Sequence, residues 1–200
     1  MSTFELITGS VYQSPGDTLT TIPGILKITE CLESCQNNVT CRSVNYETGL
    51  CILFSSSASS NPGGLQPSQF PVFTIYAQKI CLSKESLSRS SCGQRSWAFE
   101  RVSAYELRKF PARKLSQVTQ SQCMEACLSE ADFICRSFNY DSASQECILS
   151  EQDRHTLAVS SNARSKDNQS LLPSVNGTTD YFESNCVAGK SNFDNNPNPY

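Results

Sequence analysis

Little in this sequence can do acid–base or metal chemistry. Its 200 residues include one histidine, one tryptophan and two methionines, which leaves no set of histidines for a metal site or a proton relay. Charge is sparse too, at 18% of residues with a formal net charge of −3, so the basic surplus of a nucleic-acid binder is missing. No apolar run approaches the roughly 18 residues of a membrane-spanning helix. The stretch Met1–Gly9 lacks the basic n-region and the apolar core, about 7–15 residues long, of a signal peptide. Apolar residues make up 38% of the chain. That is too many for wholesale disorder and few for one large core, so small cross-linked cores are expected.

Cysteine is what the chain has in excess, with 11 residues. Thiols at this density point to disulfides formed in an oxidising compartment. An odd count leaves one sulfur without a partner inside the chain. Disulfide chemistry without a secretion signal suggests a chain that starts downstream of its natural beginning.

A repeat organises most of those cysteines. Cys41-Arg42-Ser43-Val44-Asn45-Tyr46 returns as Cys135-Arg136-Ser137-Phe138-Asn139-Tyr140. Upstream, Cys31 and Cys35 match Cys123 and Cys127; downstream, Cys51-Ile52-Leu53 matches Cys147-Ile148-Leu149. Each copy opens on Phe-Glu (Phe4-Glu5 and Phe99-Glu100) and closes on a tyrosine five residues before a cysteine, Tyr76 before Cys81 and Tyr181 before Cys186. The second copy is longer, through a polar segment between Leu149 and Tyr181 that reads as a surface loop.

Local signals sketch one module. Thr119 and Gln122 form a capping-box pattern ahead of a helix carrying Cys123 and Cys127, and Thr29 is the matching cap in the first copy. Cysteines spaced i, i+4 share one helical face. Residues 42–46 and 136–140 alternate polar and apolar, as half-buried strands do. Cys51–Phe54 and Cys147–Leu149 read as apolar strands after tight turns, and Phe70–Tyr76 as a further strand. The whole is an α+β arrangement: two small disulfide-rich modules, each a short antiparallel sheet with one packed helix.

The CxxxC helix, the Cys-Arg-Ser-x-Asn-Tyr strand, the Cys-Ile-Leu strand and the Tyr-x4-Cys closure together resemble a tandem of PAN/apple domains. The Phe-Glu opening and Cys-Arg-Ser signature are most similar to PAN modules of invertebrate apical-matrix proteins, which carry a zona-pellucida domain that this chain lacks. The resemblance implies domain one at 1–82, lacking its first cysteine, a linker at 83–91, domain two at 92–187 and a disordered tail at 188–200. It also implies a nested pairing: Cys92–Cys186, Cys123–Cys147 and Cys127–Cys135 in the second copy, Cys31–Cys51 and Cys35–Cys41 in the first. Cys81 is then unpaired because its partner would precede Met1.

Other features are weighed on their own chemistry. His155 lies in a charged stretch entering a loop, with no thiolate expected beside it, and the carboxylates form no evident acid/base pair, so no catalytic residue is assigned. The triplets Cys31/Cys35/Cys41 and Cys123/Cys127/Cys135 do not follow zinc-knuckle spacing, so neither a metal nor a cofactor is expected. Asn38, Asn168 and Asn176 head N-glycosylation sequons. Residues 84–114 hold eight basic against three acidic side chains, which makes Arg108, Lys109, Arg113 and Lys114 a candidate polyanion-binding edge, against the plainer reading of a solvated loop. Tyr46, Tyr76, Tyr140 and Tyr181 recur in register and read as packing residues. Trp97, without a counterpart, reads as either a contact or a packing residue.

The expectation is a non-catalytic extracellular module, or the ectodomain of a membrane-anchored protein, that binds extracellular proteins or glycans in an apical or cuticular matrix. The alternative is a regulatory module of a secreted protease.

Overall fold

The Phe-Glu openings, the CxxxC helices and the Cys-Arg-Ser-x-Asn-Tyr strands each fold the same way twice. The computed structural model describes residues 2–69, 72–89, 96–160 and 171–186, which divide into two compact units, 2–80 and 81–186. The first runs β1 (Ser2–Thr8), β2 (Ser10–Tyr12), β3 (Thr18–Pro23), α1 (Ile28–Asn37), β4 (Ser43–Glu47), β5 (Leu50–Phe54), β6 (Leu65–Pro67) and β7 (Ile75–Cys81). The second runs α2 (Lys84–Arg89), β8 (Phe99–Val102), β9 (Tyr105–Glu106), β10 (Arg113–Ser116), α3 (Gln120–Ser129), β11 (Ser137–Asp141), β12 (Glu146–Ser150), α4 (Arg154–Ser160), β13 (Leu172–Pro173) and β14 (Thr179–Ser184).

Strand order is β1-β7-β4-β5-β3 in the first unit and β8-β14-β11-β12-β10 in the second, the same order once strands are matched by repeat position. β4 and β11 are central and pair antiparallel with both neighbours. A two-stranded ribbon, β2–β6 or β9–β13, accompanies each sheet. The β4–β5 hairpin turns through Gly49 at φ +93, where a β-carbon would be strained.

The central strands depart from the alternating expectation. Ser43, Val44, Asn45 and Tyr46 are all buried, as are Ser137, Phe138, Asn139 and Tyr140. The polar members are buried because each has backbone to bond. Asn45 donates from Nδ2 to Tyr12 O (2.8 Å), and its Oδ1 accepts from Tyr12 N (2.9 Å). Asn139 does the same with Leu107, at 2.7 and 2.9 Å. Ser43 donates to Ser56 O and Ser137 to Gln152 O; Tyr46 reaches Leu26 O and Tyr140 reaches Val118 O. The Ser-x-Asn-Tyr signature is thus a hydrogen-bonding template that ties the ribbon and flanking loops to the sheet. Asn139→Ala would strand both Leu107 backbone groups, and an unsatisfied buried group costs roughly 1–3 kcal/mol. A loss of about 2 kcal/mol in the denaturant-unfolding free energy is expected, and an unchanged midpoint would refute the template.

Several local expectations shift. α3 has its capping box, with Thr119 Oγ1 accepting from Gln122 N and Gln122 Oε1 from Thr119 N. Thr29 is no cap: α1 begins at Ile28, with Lys27 at the N-cap and no side-chain cap bond, so Thr29 sits inside the first turn. The strand expected at Phe70–Tyr76 begins only at Ile75; Val72 and Phe73 are exposed, and Phe70 and Pro71 lie outside the described residues. The second unit has more than one helix. α2 occupies the segment expected as linker, with Ser83 Oγ accepting from Ser86 N, and packs on α3. α4 starts at a reciprocal cap in which Asp153 Oδ1 accepts from Thr156 N and Thr156 Oγ1 from Asp153 N. The tail at 188–200 lies outside the described residues.

The cores differ in filling. Phe138 stacks on Phe182 with centroids 4.6 Å apart and meets Phe99 edge-on at 5.4 Å. In the first unit Tyr12 meets Phe54 edge-on at 5.3 Å and lies 5.5 Å from Tyr76. All four repeated tyrosines are buried; Trp97 is half-buried.

Candidate functional site

The i, i+4 cysteines face the sheet, and two bonds per unit hold each helix in place. Cys31–Cys51 and Cys123–Cys147 join helix to strand, while Cys35–Cys41 and Cys127–Cys135 close the loop that follows the helix. Cys186 is disulfide-bonded as well; Cys92 lies outside the described residues. Cys81, at the end of β7, is a free, exposed thiol.

A charged cluster at α4 brings together residues of three elements. Arg154 places Nε 2.8 Å from Glu183 Oε2 and Nη2 3.2 Å from Glu100 Oε2, with its guanidinium 5.9 Å from the Tyr181 ring centroid. The Tyr181 hydroxyl donates to Glu183 Oε2 at 3.1 Å. Burial, then the adjacent Glu183 charge, holds that phenol well above the usual tyrosine range, so it remains a donor. Burial alone would weaken the Arg154 charge, but Glu100 and Glu183 outweigh it and leave the guanidinium more firmly protonated than usual. His155, expected in a loop, stands on α4 because the Asp153 cap starts a helix there; its exposed ring puts Nε2 3.5 Å from Glu183 Oε1.

The first unit answers the same positions without the cation. Ala58 lies seven residues after Cys51, as Arg154 lies seven after Cys147, and Gln78 matches Glu183. There Gln78 Nε2 donates to the buried Glu5 Oε2 at 2.9 Å, and Ala58 N–H donates to Tyr76 OH at 2.7 Å. Arginine plus glutamate in one copy replaces alanine plus glutamine in the other, so formal charge at the paired sites is conserved. The signal was present in the repeat alignment, but only the fold shows that positions 154 and 183 meet.

Three of the four basic side chains of the candidate edge lie beside carboxylates, and Lys109 is exposed. Arg108 pairs with Glu106 (2.7 Å), Arg113 with Glu130 and Asp132 (2.7 and 2.5 Å), and Lys114 with Glu146 (2.7 Å). Residues 113–116 form strand β10 at the sheet edge rather than a loop. Apolar groups are exposed beside them: Phe110 at 52% and Ile134 at 60%, with Phe133 5.9 Å from the Arg113 guanidinium. Phe110 has φ +67, a left-handed backbone that costs a bulky residue about 1–2 kcal/mol, and its carbonyl accepts from Ser150 Oγ at 3.0 Å.

Asn38 is the C-cap residue of α1 and Asn176 lies in an exposed turn; Asn168 is outside the described residues. Among the described residues, no group of three or more His, Cys, Asp or Glu is placed to hold a metal ion, and no helix is long and apolar enough to cross a membrane.

A family model described as "PAN domain" matches the chain twice, over residues 3–81 and 92–186. Among solved structures, the chain is similar to the two N-terminal apple domains (residues 58–231) of Toxoplasma gondii microneme protein 4. The two share 14% identity over 88% of this chain and 84% of that one, with a TM-score of 0.28. No curated protein matches.

Proposed function

We propose that this chain, which belongs to the PAN domain family, acts as a pair of extracellular binding modules in an apical or cuticular matrix and that the β10 edge of the second unit carries a contact surface. PAN modules are non-catalytic binders of proteins or carbohydrates. The disulfides favour an oxidising, extracellular setting, and the repeated scaffold leaves its loops free to differ, as recognition modules do.

One observation carries the choice of surface. Phe110 is held in a left-handed backbone conformation with half its side chain in water, and backbone strain at an exposed side chain points to a functional position. Arginine and aromatic side chains around it are the types that anchor interfaces. The neutralised cations favour a protein partner over a polyanion.

Phe110→Gly tests this, because glycine relieves the backbone and removes a ring that is half exposed. The variant is expected to melt no lower than the parent, yet to lose binding to immobilised matrix proteins by about tenfold, the size of a modest anchor residue. Undiminished binding would remove the β10 edge from the proposal. Retention on a glycan array that survives Phe110→Gly would assign carbohydrate recognition to another surface.

A further inference from the structure

We infer that Asn38 carries an N-linked glycan, an inference that rests on the extracellular reading above. The Asn38-Val39-Thr40 sequon occupies the loop closed by Cys35–Cys41, just beyond α1. Its acceptor geometry is already arranged. Asn38 Oδ1 accepts from Thr40 N at 2.9 Å and from Thr40 Oγ1 at 2.7 Å, which engages the carbonyl side of the amide and leaves Nδ2 as its unengaged end. The main-chain oxygen of Asn38 accepts from Lys79 Nζ, which also caps the helix at Cys35 O, so the loop is anchored through its backbone and not through the amide nitrogen. Val39 is 88% exposed and Thr40 is exposed. A sugar on Nδ2 therefore displaces no hydrogen bond and meets solvent.

Asn176 offers a contrast within the same chain. Its side chain is exposed, but the Thr178 hydroxyl of its sequon is buried. Of the two sequons within the described residues, the one at Asn38 has its hydroxyl-bearing Thr40 exposed, with Asn38 itself half-buried.

The reaction is a group transfer from a lipid diphosphate-linked oligosaccharide. Asn38 Nδ2 attacks the anomeric carbon, and the N–C bond forms as the C–O bond to the diphosphate breaks. The diphosphate leaves with the bonding electron pair, and one Nδ2 proton passes to a carboxylate of the transferase.

The test secretes the full 200-residue chain from a eukaryotic host behind a cleavable leader. The protein is then treated with peptide-N-glycosidase in heavy-oxygen water, which converts a glycosylated asparagine to labelled aspartate. Label at position 38 in most of the protein is expected. Thr40→Ala, which keeps Asn38, should abolish that label, and Thr40→Ser should retain it. A secreted chain with Cys35–Cys41 formed and Asn38 unlabelled overturns the glycan and leaves the extracellular reading standing. A chain that stays reduced and is never secreted overturns both.

Discussion

Arg154→Ala should destabilise the second unit by about 3 kcal/mol, because removing one partner of a buried ion pair leaves an uncompensated charge behind. Glu183 is only 4% exposed at its side chain, and the lost guanidinium also neutralises Glu100 and covers the Tyr181 ring. Arg154 itself is one-third exposed, so the lower end of the usual range of about 3–5 kcal/mol is expected. The first unit predicts the cure. Arg154→Ala combined with Glu183→Gln places the first unit's alanine and glutamine at these positions, and the double variant should recover most of the loss. Additive damage in the double variant would show that the two copies do not solve a common problem.

Acidity provides a second readout. A buried carboxylate without its counter-charge has a folded-state pKa raised above its unfolded value, so protonation favours the folded form. The Arg154→Ala deficit should be largest at neutral pH and shrink as pH falls toward about 4, the unfolded glutamate range. Urea midpoints at pH 7 and pH 4 measure it; a deficit independent of pH would point to lost packing instead of a stranded charge.

The helix-to-strand disulfides should be worth more than the loop disulfides. Cys123–Cys147 and Cys31–Cys51 span 24 and 20 residues, whereas Cys127–Cys135 and Cys35–Cys41 span 8 and 6. On the chain-entropy model a loop of the first kind contributes about 3 to 4 kcal/mol and one of the second about 2 to 3. Paired Cys→Ser replacement at Cys123 and Cys147 should therefore lower the second unit's stability by about 3 kcal/mol or more, since small domains depend on such links. Replacing Cys127 and Cys135 should cost less. If the order reversed, with the short loops mattering more, native-state strain and not loop entropy would set their worth.

The repeat, the family and the α3 cap were legible because they are written in neighbouring residues. Thr119 and Gln122 are three apart, and their bonds follow from that spacing in any context that lets the helix start. Thr29 misled because an equally polar residue two positions into the chain's turn looks the same to a local pattern; the carbonyl of Lys27, which accepts from Glu30 N and Cys31 N, decided where α1 begins. His155 misled for a related reason, since the cap at Asp153 outweighed the polar composition that suggested a loop.

Charge was the least legible property. Eight basic residues against three acidic over 84–114 looked like a surplus because the neutralising Glu130, Asp132 and Glu146 lie outside that window. They reach Arg113 and Lys114 only because β10 pairs with β12 and the loop after α3 returns to the same edge.

By itself, then, the sequence determined a twice-repeated PAN scaffold, since cysteine spacing, strand signatures and helix signals act over short separations. The tertiary structure alone decided which polar groups are buried and what they face. Asn45 meets Tyr12 across 33 residues and Arg154 meets Glu100 and Glu183 from three separate elements, and a buried polar group is stabilised only by the partner that folding brings to it.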